Sequence, residues 1–468
     1  MRKKLLNTLL LIALVASNAI SQTATLTPLL EIDGAAITSI STNGKWACGS
    51  TFNNNDGAGY QSNASKWNLE TGERTYLVTE DESNAQSDAF AITNDGSLIV
   101  GQYLYQPAYY TKGAWHTLEL TQGYTIGEAR DVAIVNGDTI IVGRIFDGDG
   151  YQKVQSAKWV NGKFEKLTNL IPREYQYNED NKMANQILGI SDDGRTLLGS
   201  FDPFTWPLRK PFIIRDSTFT ILDIQGREEF ANYHANFDFF KEEKLDHKGK
   251  YVALTFFSNT HIPCVYDIEN DKFIVMTTAP YETGCKAVDE NGNAYYAGPV
   301  TTGIDRKSYV TIQDRPVEVD NILRNAYGIT QEQINATCTD PDLTGSIRYI
   351  YDVAADGKTL IIGSAGFGTG GYNWVLSLSH SLFEIGYDPK TNIENNTAFT
   401  KVVAFYNLGK INIIGDADYV EIYNISGSLV EKNKVENSTI DTYLNNGVYI
   451  VKLYKNNIIA NTNKLIIK

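Results

Sequence analysis

Short apolar runs flank a turn that ends in Gly, and the pattern recurs along most of the chain. Phe90-Ala-Ile-Thr-Asn-Asp-Gly96-Ser-Leu-Ile-Val-Gly101 returns as Leu188-Gly-Ile-Ser-Asp-Asp-Gly194-Arg-Thr-Leu-Leu-Gly199 and as Asp352-Val-Ala-Ala-Asp-Gly357-Lys-Thr-Leu-Ile-Ile-Gly363. Asn-Gly and Asp-Gly tolerate positive φ, so each copy predicts two antiparallel strands joined by a tight turn. The turn glycines are Gly44, Gly96, Gly137, Gly194, Gly249, Gly292 and Gly357, with a mean spacing of about 52 residues. Continuous runs such as Thr139 to Val142 and Thr359 to Ile362 predict strands covered on both faces.

After the second Gly of each unit comes a variable polar loop, then a strand often carrying Trp or Tyr, then a charged turn and a last short strand. Phe52 to Trp67 ends in Ala-Ser-Lys-Trp, and Phe146 to Trp159 ends in Ser-Ala-Lys-Trp. Four antiparallel strands repeated around a ring make a β-propeller, which leaves only short edges exposed. The fold expected is therefore all-β: a propeller of seven blades, with six or eight still open, followed by a small C-terminal β-sandwich. Unequal spacing calls for insertions. The largest precedes Gly357, where Val317 to Tyr327 and Thr330 to Asn335 read as helical. Leu26 to Ile32 is a candidate for the outermost strand of the last blade.

The repeat resembles the extracellular HAF-type propeller repeats over about Ala35 to Leu378, most closely at Ala89 to Gly101. That resemblance implies an exported propeller and assigns no catalytic residue. Beyond Tyr387-Asp-Pro-Lys-Thr-Asn the composition changes to compact β alternation, including Tyr419-Val-Glu-Ile-Tyr-Asn-Ile-Ser-Gly, Leu444-Asn-Asn-Gly-Val-Tyr-Ile-Val-Lys-Leu-Tyr454 and Lys464-Leu-Ile-Ile-Lys468. In their order these blocks resemble the C-terminal sorting domain of type IX secretion cargo, recognised by the outer-membrane machinery of Bacteroidota. Tyr406-Asn-Leu-Gly409 stands where that family begins with Asn-Pro. The resemblance implies the secretion machinery as a partner and a secreted or cell-surface destination. The organisation expected is a signal peptide over 1–21, a propeller over 22–382, a linker over 383–398 and a sorting domain over 399–468.

Arg2, Lys3 and Lys4 precede an apolar run from Leu5 to Val15, and Ala19 and Ser21 supply small residues for cleavage before Gln22. Its removal takes the formal charge from −14 to −17, a surface that repels nucleic acid and anionic lipid. The cysteines are Cys48, Cys264, Cys285 and Cys338, with no C-x-x-C pair, which excludes a zinc ribbon and a thioredoxin-like motif. Three pairings or free buried thiols are compatible with that spacing.

No H-E-x-x-H and no G-x-S-x-G is present, which removes zinc peptidase and serine hydrolase signatures. The five histidines, His116, His234, His247, His261 and His380, are isolated and expected at the surface. Ser191-Asp-Asp-Gly-Arg-Thr-Leu197 is one residue short of a sialidase Asp-box. The acidic pairs Asp147/Asp149 and Asp340/Asp342 offer oxygen ligands for calcium, although neither has EF-hand spacing. No catalytic residue, no resident metal and no other cofactor is assigned. If the Gly turns lie on one face, the loops after the second Gly lie on the other, and they carry Tyr60, Tyr103, Tyr105, Tyr151, Phe204, Trp206 and Tyr372. Rings gathered on one face suit stacking on sugars or gripping apolar side chains of a protein. The reading is a non-catalytic recognition or adhesion module for glycan or protein. Its competitors are a glycan- or peptide-degrading enzyme with a site at the ring axis, and a structural surface protein.

Overall fold

The structure is a computed structural model. It describes residues 22–384 and 403–467, apart from 30–34, 54–60, 78–85, 149–152, 168, 177–183, 203–207, 232–238, 258–259, 281, 299–305, 338–345, 364–372, 408–409, 415–416, 436–438, 443 and 456–457. The chain divides into two compact units, one up to Tyr387 and one from Asp388. The expected leader over 1–21 lies outside the described residues.

All seven turn glycines adopt positive φ, between 67° and 91°, and each joins the first and second strands of one four-stranded antiparallel sheet. The first strands are Ala35–Ile40, Ser87–Ile92, Ile126–Val135, Ala184–Ile190, Phe239–Leu245, Gly284–Val288 and Tyr349–Val353, which we number as blades 1 to 7. Each first strand touches the next, and blade 7 touches blade 1, so these strands form the inner wall of a closed ring. The third strand of blade 4, Leu208–Arg215, also pairs at one end with the inner strand of blade 5. The outer strand of blade 7 is Ala24–Pro28, which pairs with Asn373–Leu378 in the register Leu26↔Leu376. The start of the propeller thus closes its end, two residues after the expected cleavage point.

Apolar residues build the ring because each blade buries both faces. Seven core clusters lie between consecutive blades. Cys48, Ala64 and Leu77 of blade 1 meet Ala89, Ile92 and Ile99 of blade 2, and Ile361 and Val375 of blade 7 meet Ile40, Ala47 and Trp67 of blade 1. The repeated Lys-Trp places Trp67 and Trp159 on third strands, both fully buried. The insertion before Gly357 forms helices Val319–Ala326 and Gln331–Asn335. In the second, the Thr330 hydroxyl accepts from Gln333 N–H while the Gln333 side chain accepts from Thr330 N–H, a reciprocal cap. Ile322, Leu323 and Ile334 seat both on the core between blades 6 and 7.

The second unit has a three-stranded sheet of Val403–Asn407, Lys410–Ile414 and Thr439–Asp441. Its other sheet has four strands in the order Leu429–Lys434, Tyr419–Asn424, Gly447–Lys455 and Ile458–Ile467. Ile411, Ile413, Val420, Ile422, Val451 and Leu453 fill the space between the two sheets, a small β-sandwich.

An axial cavity ringed by bulges

Every inner strand breaks register with its second strand at the same place. The residues left over are Thr38, Phe90, Arg130, Leu188, Lys286 and Tyr351 in six blades, and Lys241 to Glu243 in blade 5. A bulge turns the extra side chain out of the normal alternation. Thr38, Phe90, Arg130, Leu188, Glu243, Lys286 and Tyr351 all line one cavity of about 770 Å³ on the ring axis.

The second Gly of the repeat belongs to this device. A Cβ on Gly101 would stand 1.8 Å from the Asp88 carbonyl oxygen, and one on Gly143 would stand 2.0 Å from that of Glu128. The bulged backbone folds over the neighbouring strand where only a residue without a side chain fits. Blade 5 has Leu254 at the corresponding position, and its bulge is three residues wide.

Around the cavity, guanidinium groups are seated on rings: Arg130 over Phe90 at 4.5 Å and Arg306 over Tyr349 at 4.4 Å, with Tyr349 stacked on Tyr351 at 5.6 Å. Glu128 lies 3.2 Å from Arg130 and takes both arms of Arg144, at 2.9 and 3.0 Å. Arg144 also donates to Gln186 at 2.7 Å. One layer deeper, Lys244 of blade 5 reaches Asp352 of blade 7 at 2.7 Å. Asp131 accepts the N–H groups of Val132 and Ile190, each at 2.8 Å. Burial of its carboxyl pushes the pKa up to about 7 against those hydrogen bonds.

The inner strands run toward the Gly turns, and that end of the axis is tied across. Thr42 of blade 1 donates to Asp192 of blade 4 at 2.9 Å, and Lys248 of blade 5 pairs with Asp192 at 3.0 Å. His247 Nδ1 lies 3.3 Å from the Thr42 hydroxyl. A recess of about 520 Å³ beside this tie is bordered by Asn94, Asp95 and Ile134 of blades 2 and 3. Asp88, Arg306 and Tyr349 lie at the opposite, loop-side end.

The loops do emerge opposite the Gly turns, because they join second to third strands. Of the aromatic residues expected there, Tyr60, Tyr151, Phe204, Trp206 and Tyr372 lie outside the described residues. Tyr103 stacks on Trp115 of its own blade at 5.7 Å, while Tyr105 stands half-exposed in a two-residue turn with φ 66°. Neither lines the axial cavity. Sequence inspection missed the cavity residues because each is a different amino acid; in blades 1 to 4 the signal that marks them is the second Gly.

One expectation needs correction: His261, expected at the surface, is buried. His247 is partly exposed and sits in the axial tie. Cys48, Cys264 and Cys285 are free and buried, and burial pushes Cys48 and Cys285 up to about 12; Cys338 lies outside the described residues. Asp147 is described, but Asp149, Asp340 and Asp342 are not; among the described residues no three His, Cys, Asp or Glu side chains gather as a metal site.

These features define the class: a closed seven-bladed β-propeller with a lined axial cavity, followed by a β-sandwich. No family model matches the chain, and no curated protein matches it. Among solved structures it is similar to a prolyl endopeptidase at 9% identity and TM-score 0.45, covering 90% of this chain; the chain spans 55% of that protein. An oligogalacturonate lyase from Vibrio parahaemolyticus is 10% identical with TM-score 0.46, covering 76% of this chain and 97% of its own. PorZ, a surface component of the type IX secretion system of Porphyromonas gingivalis, is 12% identical with TM-score 0.41, covering 92% and 59%. Among the described residues no helix is long and apolar enough to cross a membrane.

Proposed function

We propose that the protein is an exported recognition module, displayed at the cell surface or released, whose glycan or protein ligand sits in the axial cavity. The observation that carries this reading is the bulge repeated in all seven blades, which directs a side chain into one shared cavity. Bulges disrupt the ladder and re-aim side chains, and they are over-represented next to functional sites. The cavity volume falls within the roughly 300–1,000 Å³ of small-ligand sites, and its walls mix apolar, aromatic and charged groups as such sites do. In this reading the C-terminal sandwich is the sorting domain read by a type IX-like machinery, and the half-exposed Tyr105 belongs to the outer rim.

The test is a glycan array and a peptide array probed with the purified propeller and with Arg130→Ala and Tyr351→Ala variants. Binding that both variants lose supports the axial site. Binding lost only in Tyr105→Ala and Trp206→Ala would move the site to the loop face. Export is tested separately, by deleting residues 399–468 and following the protein in culture medium and cell fractions.

One observation favours the enzymatic alternative. Asp131, with its pKa near 7, and Glu243 border the same cavity, and a carboxyl tuned to neutrality is what a general acid requires. Release of reducing sugar or of peptide fragments, abolished by Asp131→Asn in a folded variant, would establish it.

A further inference from the structure

Resting on that reading, we infer that the ligand of the axial cavity is a peptide presenting its free carboxyl end.

The charge arrangement is the first ground. Blade 6 contributes Lys286 from its inner strand and Arg306 just before its third strand to the cavity lining, which Arg130 of blade 3 and Lys244 of blade 5 also border. Arg306 is held over Tyr349, which fixes a forked donor suited to a carboxylate. Carboxylates border the same space: Asp88 on blade 2 and Glu243 on blade 5. A cavity lined by both cations and carboxylates suits a ligand that carries both an acid and N–H donors.

The second ground is the protein's own charge. With a formal charge of −14, the chain opposes the approach of a polyanion such as an acidic polysaccharide. A ligand with one carboxylate meets far less of this repulsion. Neutral sugars, in turn, make no use of a Lys-Arg pair.

The third ground is the backbone. Each bulge leaves a residue outside the ladder with the second strand, on the strand that borders the axis. Extended peptides are recognised through main-chain hydrogen bonds, with pockets for alternate side chains. Ile37, Leu188 and Ile350 supply apolar wall between the charged groups.

The experiment uses the mature protein and two tetrapeptide libraries, one with free C-terminal acids and one with C-terminal amides, with retention read by mass spectrometry and affinity by calorimetry on the best binder. The free-acid library is expected to be retained, and amidation of the best binder to weaken it about tenfold or more. Lys286→Ala and Arg306→Ala should each weaken the free acid about fivefold or more and leave the amide's residual binding unchanged; Lys358→Ala, away from the cavity, should change nothing. Circular dichroism and urea unfolding confirm that the variants fold. Equal retention of acids and amides overturns the inference, as does failure to retain either library. Tetragalacturonate is the control: if it binds, is lost in Lys286→Ala, and no peptide binds, the peptide inference fails while the recognition reading survives. No binding of either kind overturns the inference and leaves the recognition reading to the array experiment.

Discussion

Lys244 and Asp352 belong to blades that are not neighbours, yet the Lys244 ammonium lies 2.7 Å from the Asp352 carboxylate across the axis. Asp352 is 2% exposed and also accepts the N–H of Ile40, in blade 1, at 2.9 Å. One carboxylate therefore ties blades 5, 7 and 1. Removing the partner of a buried charge leaves it uncompensated, which costs about 3–5 kcal/mol when the pair is fully buried. Lys244 keeps partial water access, so Lys244→Met should cost less, about 1–3 kcal/mol. Urea unfolding at neutral pH checks this; an unchanged midpoint would show that the pair contributes nothing net.

Asp131 makes stability depend on pH in a direction opposite to that of a salt-bridged carboxylate. Its folded pKa of about 7 lies above the unfolded value, so the folded state holds its proton more tightly. Both states are protonated below about pH 4, and the unfolded state ionises first as pH rises. This group therefore takes stability away between about pH 4 and 7, by about 2–4 kcal/mol in total. Asp131→Asn should flatten that part of the stability profile, measured by urea unfolding at pH 5 and pH 8.

Gly101→Ala should be costly although it adds one methyl group. The new Cβ has no room beside the Asp88 carbonyl, so the blade 2 bulge must shift. A loss of about 2–4 kcal/mol is expected, in the range of overpacked or strained sites. Gly113→Ala, with φ 84° and nothing within 4 Å, is the control and should cost only about 1 kcal/mol. Thermal unfolding of the two variants side by side separates crowding from backbone strain.

Deleting residues 22–28 removes the outer strand of blade 7 and exposes Leu376 and Trp374. Closure then depends on core packing between blades 7 and 1 alone. We expect a broadened, lower-temperature unfolding transition by calorimetry and faster proteolysis near Asn373–Leu378. A sharp transition at the original temperature would show that the ring closes without this strand.

Burial should keep Cys48, Cys264 and Cys285 silent toward thiol reagents. Ellman's reagent is expected to label at most Cys338 in the native protein and all four cysteines in guanidinium. Fast labelling of a second thiol in the native state would contradict the burial of these side chains.

Much of the architecture was legible in the sequence. The seven Gly turns, the Lys-Trp strands and the capped helix after Thr330 are local devices, and local chemistry fixes them wherever they fall. The candidate site was legible only in outline. Phe90, Arg130, Lys286 and Tyr351 share no residue type, so nothing in composition groups them. What they share is a place in a bulge, signalled in blades 1 to 4 by Gly49, Gly101, Gly143 and Gly199, each paired with the residue just before it. Blades 5, 6 and 7 show the limit: Leu254, Tyr296 and Ile362 stand at that position, and the repeat is hardest to read in blade 5, where the bulge is widest.

The sequence by itself determined the hairpins and their repeat, because turn geometry and apolar alternation act between residues close along the chain. The blade count, left at six to eight, and the closing strand, Ala24–Pro28 where Leu26 to Ile32 was expected, were decided by ring closure. Only the tertiary structure decided which side chains meet on the axis. Lys244 and Asp352, or Thr42 and Asp192, are brought together by ring closure, and no local pattern encodes a distance across a ring.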